Sequence, residues 1–226
     1  MVSDSSNRVI FRRLNDVAFQ YTAIGDSLTV GFGALPGNGF VPVYRRLAEH
    51  HLRAFVAYDN LGVNGLTSQG LYDYISRNSL FRQLVSQADI ISISIGGNDL
   101  IRAARSSAGK LSGRDFNEAL ATCKTNFAQI IKTIYELKKN SKRPYIIRVV
   151  GLYNPFPQIE EASYYVQHYN RYLESYVNGT LAVANIYASF RGREKALLSL
   201  DHFHPNRYGY SIIAEQLNRL GYGPLI

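Results

Sequence analysis

Tyr21-Thr22-Ala23-Ile24-Gly25-Asp26-Ser27-Leu28 decides how the chain is read. The first four residues suit a buried strand, and Gly25 lets the backbone turn sharply with no Cβ in the way. The turn delivers the hydroxyl of Ser27 to the carboxyl end of a strand, where open α/β sheets keep their sites. An alcohol there is inert until a base takes its proton and donors await the oxyanion that forms. Ser27 therefore sets the question that the remaining residues must answer.

Outward from this stretch, strands and helices alternate. Residues 1–20 carry apolar positions without a clear period and are read as an N-terminal arm or edge element. Gly31 to Gly39 is a glycine-rich loop. It lacks the lysine and hydroxyl of a phosphate-binding Walker sequence, so it is read as room for a substrate or as loop geometry. Val41 to Leu52 fits a helix with Val43, Leu47 and His51 at helical spacing, and Ala54 to Tyr58 a second strand. Another helix opens at Thr67 or Ser68, either of which suits a cap. Ala88 to Ile95 is the clearest strand, stopping at Gly96-Gly97-Asn98-Asp99.

From Arg114 to Lys139, Phe116, Leu120, Cys123, Phe127, Ile130, Ile134 and Leu137 recur at the spacing of a long amphipathic helix. Tyr145 to Val150 and Leu181 to Ile186 are strands four and five; Ile159 to Val177 and Asn206 to Leu220 are helices. Tyr164, Tyr165, Tyr169, Tyr172 and Tyr176 are read as a packed face of the first of these helices. The alternation predicts an α/β protein, one domain, with a parallel sheet of about five strands covered on both faces. No internal repeat, low-complexity tract or linker interrupts it.

In such a sheet the loops after successive strands meet. They present Ser27, then Asn64-Gly65, then Gly97-Asn98, and the loop before the last helix presents Asp201-His202-Phe203-His204. His204 can accept the Ser27 proton, and Asp201 can hold the other ring nitrogen. The backbone N–H groups of Ser27 and Gly65, with the Asn98 amide, can bind an oxyanion. Each piece alone reads equally as a turn or a cap, since Asn98 or Asp99 can start the next helix. Their order, each at a strand end, is what points to a hydrolase.

These blocks, Gly25-Asp26-Ser27-Leu28, Gly65, Gly96-Gly97-Asn98-Asp99 and Asp201 three residues before His204, resemble the GDSL, or SGNH, hydrolase family over residues 21–220. The resemblance implies a three-layer, flavodoxin-like fold. It further implies Ser27 as nucleophile, His204 as base, Asp201 as orienting acid, and Ser27, Gly65 and Asn98 as the oxyanion hole. The Gly-x-Ser-x-Gly elbow of ordinary α/β-hydrolases is absent, because Thr29 stands at its second glycine. The second block departs from the family's Ser-Gly-Asp pattern, with Asn64 and Leu66 around Gly65. Leu152 to Pro157, Gly192 to Lys195 and Gly221-Tyr222-Gly223 are similar to the spore-germination lipases of the family, which are phospholipase-like esterases of the spore coat.

The expected reaction is ester hydrolysis through an acyl-enzyme on Ser27, without cofactor or metal, on a lipid or other acyl ester. Carbohydrate or peptidoglycan O-acetyl esters are the rival substrate, and a non-catalytic module binding anionic lipid or polymer is the rival class. Phe32, Phe40, Tyr153, Phe156 and Phe203 can line an acyl pocket or simply pack. Asp26 is expected to brace the nucleophile loop. His202 is read as pointing away from His204 in an extended loop, and His50, His51 and His168 as surface or packing residues.

Composition sets the outer bounds. The 226 residues, 46% hydrophobic and 19% charged, suffice for one core without metals or disulfides. Cys123, the single cysteine, is read as a small core residue. No apolar run approaches the roughly 18 residues of a membrane span, and the polar start carries no secretory signal, so synthesis in the cytoplasm is expected. The net charge of +8 allows contact with anionic membranes, anionic lipids, spore-coat material or nucleic acid, and nothing beyond charge speaks for nucleic acid. The basic run Lys138 to Arg143 falls where a helix ends and is read as a solvated terminus.

Overall fold

The computed structural model describes residues 18–106 and 113–226. The arm or edge element expected over residues 1–20 thus lies, up to residue 17, outside the described residues. The element order is β1 (Phe19–Gly25), α1 (Ser27–Val30), α2 (Phe40–Leu52), β2 (Val56–Gly62), α3 (Ser68–Arg77), α4 (Ser79–Gln87), β3 (Ile90–Ser94), α5 (Gly97–Ser106) and α6 (Gly113–Lys138). It continues with β4 (Ile146–Val150), α7 (Glu160–Glu174), β5 (Leu181–Ala184), α8 (Tyr187–Phe190), α9 (Glu194–Leu197) and α10 (Arg207–Arg219), closed by a 3₁₀ turn at Gly223–Leu225.

All five strands are parallel, in the order β2-β1-β3-β4-β5. That is the flavodoxin-like order, and its direction reverses between β1 and β3. Both central strands are buried throughout, so their side chains alternate between two cores. Ile91, Ile93, Ile147 and Val149 face α3 to α7. Tyr21, Ala23, Ile90, Ile146 and Val150 face α2 and α10. Each buried aliphatic side chain of this kind stabilises the fold by about 1.5–3 kcal/mol relative to exposure.

Three expectations shift. The second strand was expected at Ala54–Tyr58, but β2 runs on to Gly62, pairing Phe19↔Val56 through Gly25↔Gly62. As an edge strand it tolerates Asp59 and Asn60, whose polarity disguises its second half. In α2 the buried stripe is Phe40, Val41, Tyr44 and Ala48, while Val43 and Leu47 only flank it and His51 is exposed. The basic run is not wholly solvated either. Lys138 is buried with its Nζ donating to Ser86 O and Ala88 O at 2.8 and 2.6 Å, and Arg143 pairs with buried Asp89 at 2.9 Å. These cations tie α6 to the amino-terminal edge of the sheet, away from the loops that carry Ser27.

Candidate active site

The turn after β1 is built by close approach. Gly25 has φ +146°, and a Cβ there would stand 2.1 Å from the carbonyl oxygen of Ser94 on β3, so no side chain fits. Asp26 then caps the single turn of α1, its Oδ1 accepting from Leu28 N at 3.0 Å. The same oxygen accepts from Ser94 Oγ at 2.8 Å, and Ser94 Oγ meets Thr29 Oγ1 at 2.7 Å. Asp26, Thr29 and Ser94 form a buried polar floor beneath Ser27. Burial pushes the Asp26 carboxyl up to about 7, against the opposing pull of the Ser94 and Leu28 hydrogen bonds. The bracing role expected of Asp26 matches these contacts.

Ser27 Oγ lies 2.9 Å from His204 Nε2, although 177 residues separate them. His204 Nδ1 lies 2.6 Å from Asp201 Oδ2. With Nδ1–H donating to the carboxylate, Nε2 is left to accept the Ser27 hydroxyl proton. Asp201 Oδ1 is held in turn by Ser199 Oγ at 2.7 Å and by the N–H groups of Phe203 and His204, both at 2.9 Å. Burial works against ionisation of Asp201, but the hydrogen bonds from Ser199 and His204 outweigh it and hold the carboxyl well below the usual range.

The loop bearing these residues is a tight turn rather than the extended segment expected. His202 takes φ +56°, its N–H donates to Ser199 O at 3.0 Å, and Ser199 N donates to His204 O at 2.7 Å. His202 is thus separated from His204 by a backbone reversal, not by strand alternation.

The remaining loops converge at the reversal of strand order. Val63 N donates to Gly25 O at 2.9 Å and Leu66 N to Val63 O at 3.2 Å, giving a turn with Asn64-Gly65 at its centre. Gly65 takes φ +74°, the left-handed value that such a turn requires of its third residue. Asn98 Nδ2 donates to Leu66 O at 3.0 Å, so one amide hydrogen fastens the Gly65 loop and the other can face the cavity that Asn98 and Ser27 line. Asp99 does not cap α5. Its carboxylate accepts from Ser68 N and Oγ at 2.9 and 2.7 Å and so fixes the start of α3, where Thr67 is the cap.

Ser27 opens into a cavity of about 600 Å³. Leu100, Ile101, Phe116, Leu152, Ile159 and Val166 give it an apolar lining. Tyr153, Phe156 and Phe203 line it as expected, and Tyr153 Oη donates to Phe203 O at 2.6 Å. Phe40 does not, being fully buried in the α2–α10 core. Phe32 lies instead against His204, with ring centroids 4.7 Å apart. The tyrosine face of α7 divides. Tyr169 is core, whereas Tyr165 stacks on Phe116 and borders the cavity. Sequence reasoning missed Ser94, Thr29 and Ser199, small hydroxyls whose roles depend on contacts across loops.

The model of the GDSL-like lipase/acylhydrolase family matches residues 23–212, a stretch that contains Ser27, Gly65, Asn98, Asp201 and His204. The chain belongs to this family. Within the wider GDSL group it is similar to the spore germination lipase LipC of Bacillus licheniformis, with 36% identity over 211 residues, 92% of this chain and 99% of that protein. The lipase Lip_vut3 from a goat rumen metagenome superposes with a TM-score of 0.87 at 36% identity, covering 92% of this chain and 100% of that one. Axe2, an acetylxylan esterase from Geobacillus stearothermophilus, shares the fold at a TM-score of 0.63 and 19% identity, over 89% of this chain and 93% of that one. Among the described residues no helix is long and apolar enough to cross a membrane.

Proposed function

We propose that this GDSL carboxylic ester hydrolase acts on esters of lipids as a single domain, through an acyl-enzyme on Ser27. The observation that carries this reading is Ser27 Oγ, 2.9 Å from His204 Nε2, opening on a largely apolar cavity of about 600 Å³. His204 takes the Ser27 proton as Oγ attacks the ester carbonyl carbon. The oxyanion is held by the N–H groups of Ser27 and Gly65 and by Asn98 Nδ2. His204 then gives the proton to the departing alkoxide, releasing the alcohol. Water, deprotonated by His204, attacks the acyl-enzyme, and the proton returns to Ser27 Oγ as the fatty acid leaves. Asp201, held ionised by its donors, fixes the tautomer of His204 and stabilises the imidazolium formed twice in the cycle.

The likeness to LipC, a spore germination lipase, supports a lipid ester as substrate and a role in spores; a spore-coat location and a phospholipid substrate rest on the sequence resemblance alone. One feature favours a second reading, an O-acetylesterase acting on carbohydrate. A second cavity of about 260 Å³ shares Asn154 with the Ser27 cavity and includes Glu160, Gln167, Arg191 and Glu194 in its lining, which offer partners for sugar hydroxyls. Esters of one alcohol with acyl chains from two to ten carbons separate the two. The lipid reading expects kcat/KM to rise from acetate to octanoate; a preference for acetate overturns it and favours the sugar ester.

A further inference from the structure

The rim of the Ser27 cavity is unusually apolar for a surface facing water. Leu200, beside Asp201, is 98% exposed, and Leu35 is 76% exposed. Phe32 and Phe156 are also exposed. These residues come from separate loops that the fold presses together. Gly33, two residues before Leu35, lies so close to the Ser199–Pro205 loop that a Cβ on it would stand 2.8 Å from Pro205 O and 2.9 Å from His204 Cβ. Phe32 touches the His204 ring, and Phe156 meets Phe203 at 6.0 Å across the cavity mouth. Nothing in the fold requires leucines at the tips of these loops, and each leaves apolar area in water that burial would make favourable.

Exposed Glu160 and Glu161 follow Phe156 at the start of α7, whereas the cations stand beside the Leu35 and Leu200 loops. Arg46 reaches the Leu35 loop through Gly37 O at 3.4 Å, and Arg207 follows the His204 loop directly. Among the described residues neither guanidinium has a carboxylate within 4.0 Å. Of the carboxylates that line the cavity, Asp26 lies buried beneath Ser27, and Asp201 is engaged by Ser199 and His204. The chain as a whole carries +8.

We infer that this rim is an interfacial binding surface for anionic phospholipid: Leu35, Leu200 and Phe156 enter the headgroup–acyl boundary while Arg46 and Arg207 meet lipid phosphates. The cavity mouth then opens directly into the lipid layer, and an ester enters without crossing water. This rests on the lipid-ester reading above. Anionic lipid is favoured over a second copy of the chain because two such rims would bring their own arginines together.

The test measures co-sedimentation with vesicles of phosphatidylcholine alone and of equal parts phosphatidylcholine and phosphatidylglycerol, alongside hydrolysis of water-soluble p-nitrophenyl butyrate. The native protein is expected to prefer the anionic vesicles, and salt is expected to weaken that preference. Leu35→Ser with Leu200→Ser should weaken vesicle binding about tenfold or more. Arg46→Glu and Arg207→Glu should each weaken it at least about fivefold on anionic vesicles. All variants should keep the native rate on the soluble ester, which also shows that they fold. Absence of vesicle binding, binding undiminished in the leucine pair, or equal binding to both vesicles overturns the proposal. So does a concentration-dependent dimer that the leucine pair abolishes. Failure of the native protein on the soluble ester would instead overturn the hydrolase reading, whatever the vesicles show.

Discussion

Replacing Asp26 with asparagine tests the polar floor under the nucleophile. Asp26 is 3% exposed, and among the described residues its Oδ1 accepts from Leu28 N and Ser94 Oγ. Burial raises its pKa from 3.8 to about 7. The folded state therefore holds the proton more tightly than the unfolded chain does. The contribution is fully present below pH 3.8 and is lost as pH rises toward 7, where the folded state must also ionise. A rise of this size corresponds to about 4 kcal/mol in all, of which about 3 kcal/mol falls between pH 4.5 and 8. Asparagine keeps an acceptor at Oδ1 and cannot ionise. Urea unfolding at pH 4.5, 6 and 8 should show the native protein losing about 3 kcal/mol more than Asp26→Asn across that range. The variant's absolute stability can be lower at pH 4.5, because its Nδ2 replaces a carboxyl oxygen and brings donors without a partner. Parallel pH profiles for the two proteins would refute the reasoning, since they would mean that Asp26 ionises in the fold as it does in the unfolded chain.

Two substitutions address the chemistry itself. Asp201→Asn keeps the size of the side chain but reverses its preference for the His204 tautomer; kcat should fall by about 10⁴ while circular dichroism stays native, and a loss under tenfold would exclude Asp201 as the orienting group. Asn98→Ala removes the proposed oxyanion donor and the tie to Leu66 O, so kcat on a soluble ester should fall about 10²- to 10³-fold. A rise in KM with kcat intact would assign Asn98 to the loop alone.

Ser27, Asp201 and His204 were legible because each stands in a short polar segment beside an apolar run, and the parallel topology carries such segments to one edge. Gly65 and Asn98 were legible as loop residues, but the hydrogen bond that joins their loops was not, since it depends on the depth of the turn at Asn64. The sheet was readable from β3 and β4, whose Ile and Val residues are interrupted only by Ser92, Ser94 and Arg148. β2 was readable only in part, because an edge strand exposes one side and admits Asp59 and Asn60. Phe40 was placed near the mouth for its nearness in sequence to the glycine loop, whereas Gly39 ends the loop and starts α2, turning Phe40 into the core. Much of the cavity lining comes from Phe116 and from residues between Ile159 and Val166, near ninety residues after Ser27 in the first case and more than a hundred in the second. Period alone shows such residues as buried faces and says nothing about which of them border a void.

The central claim is that Ser27 carries the acyl group, and covalent labelling tests it most directly. Intact mass and peptide mapping after treatment with a p-nitrophenyl alkylphosphonate should show one adduct, on Ser27, forming in step with loss of esterase activity. Ser27→Ala should take up no label and hydrolyse no ester while unfolding as the native protein does; an adduct on another residue, or native activity in the variant, would contradict the account.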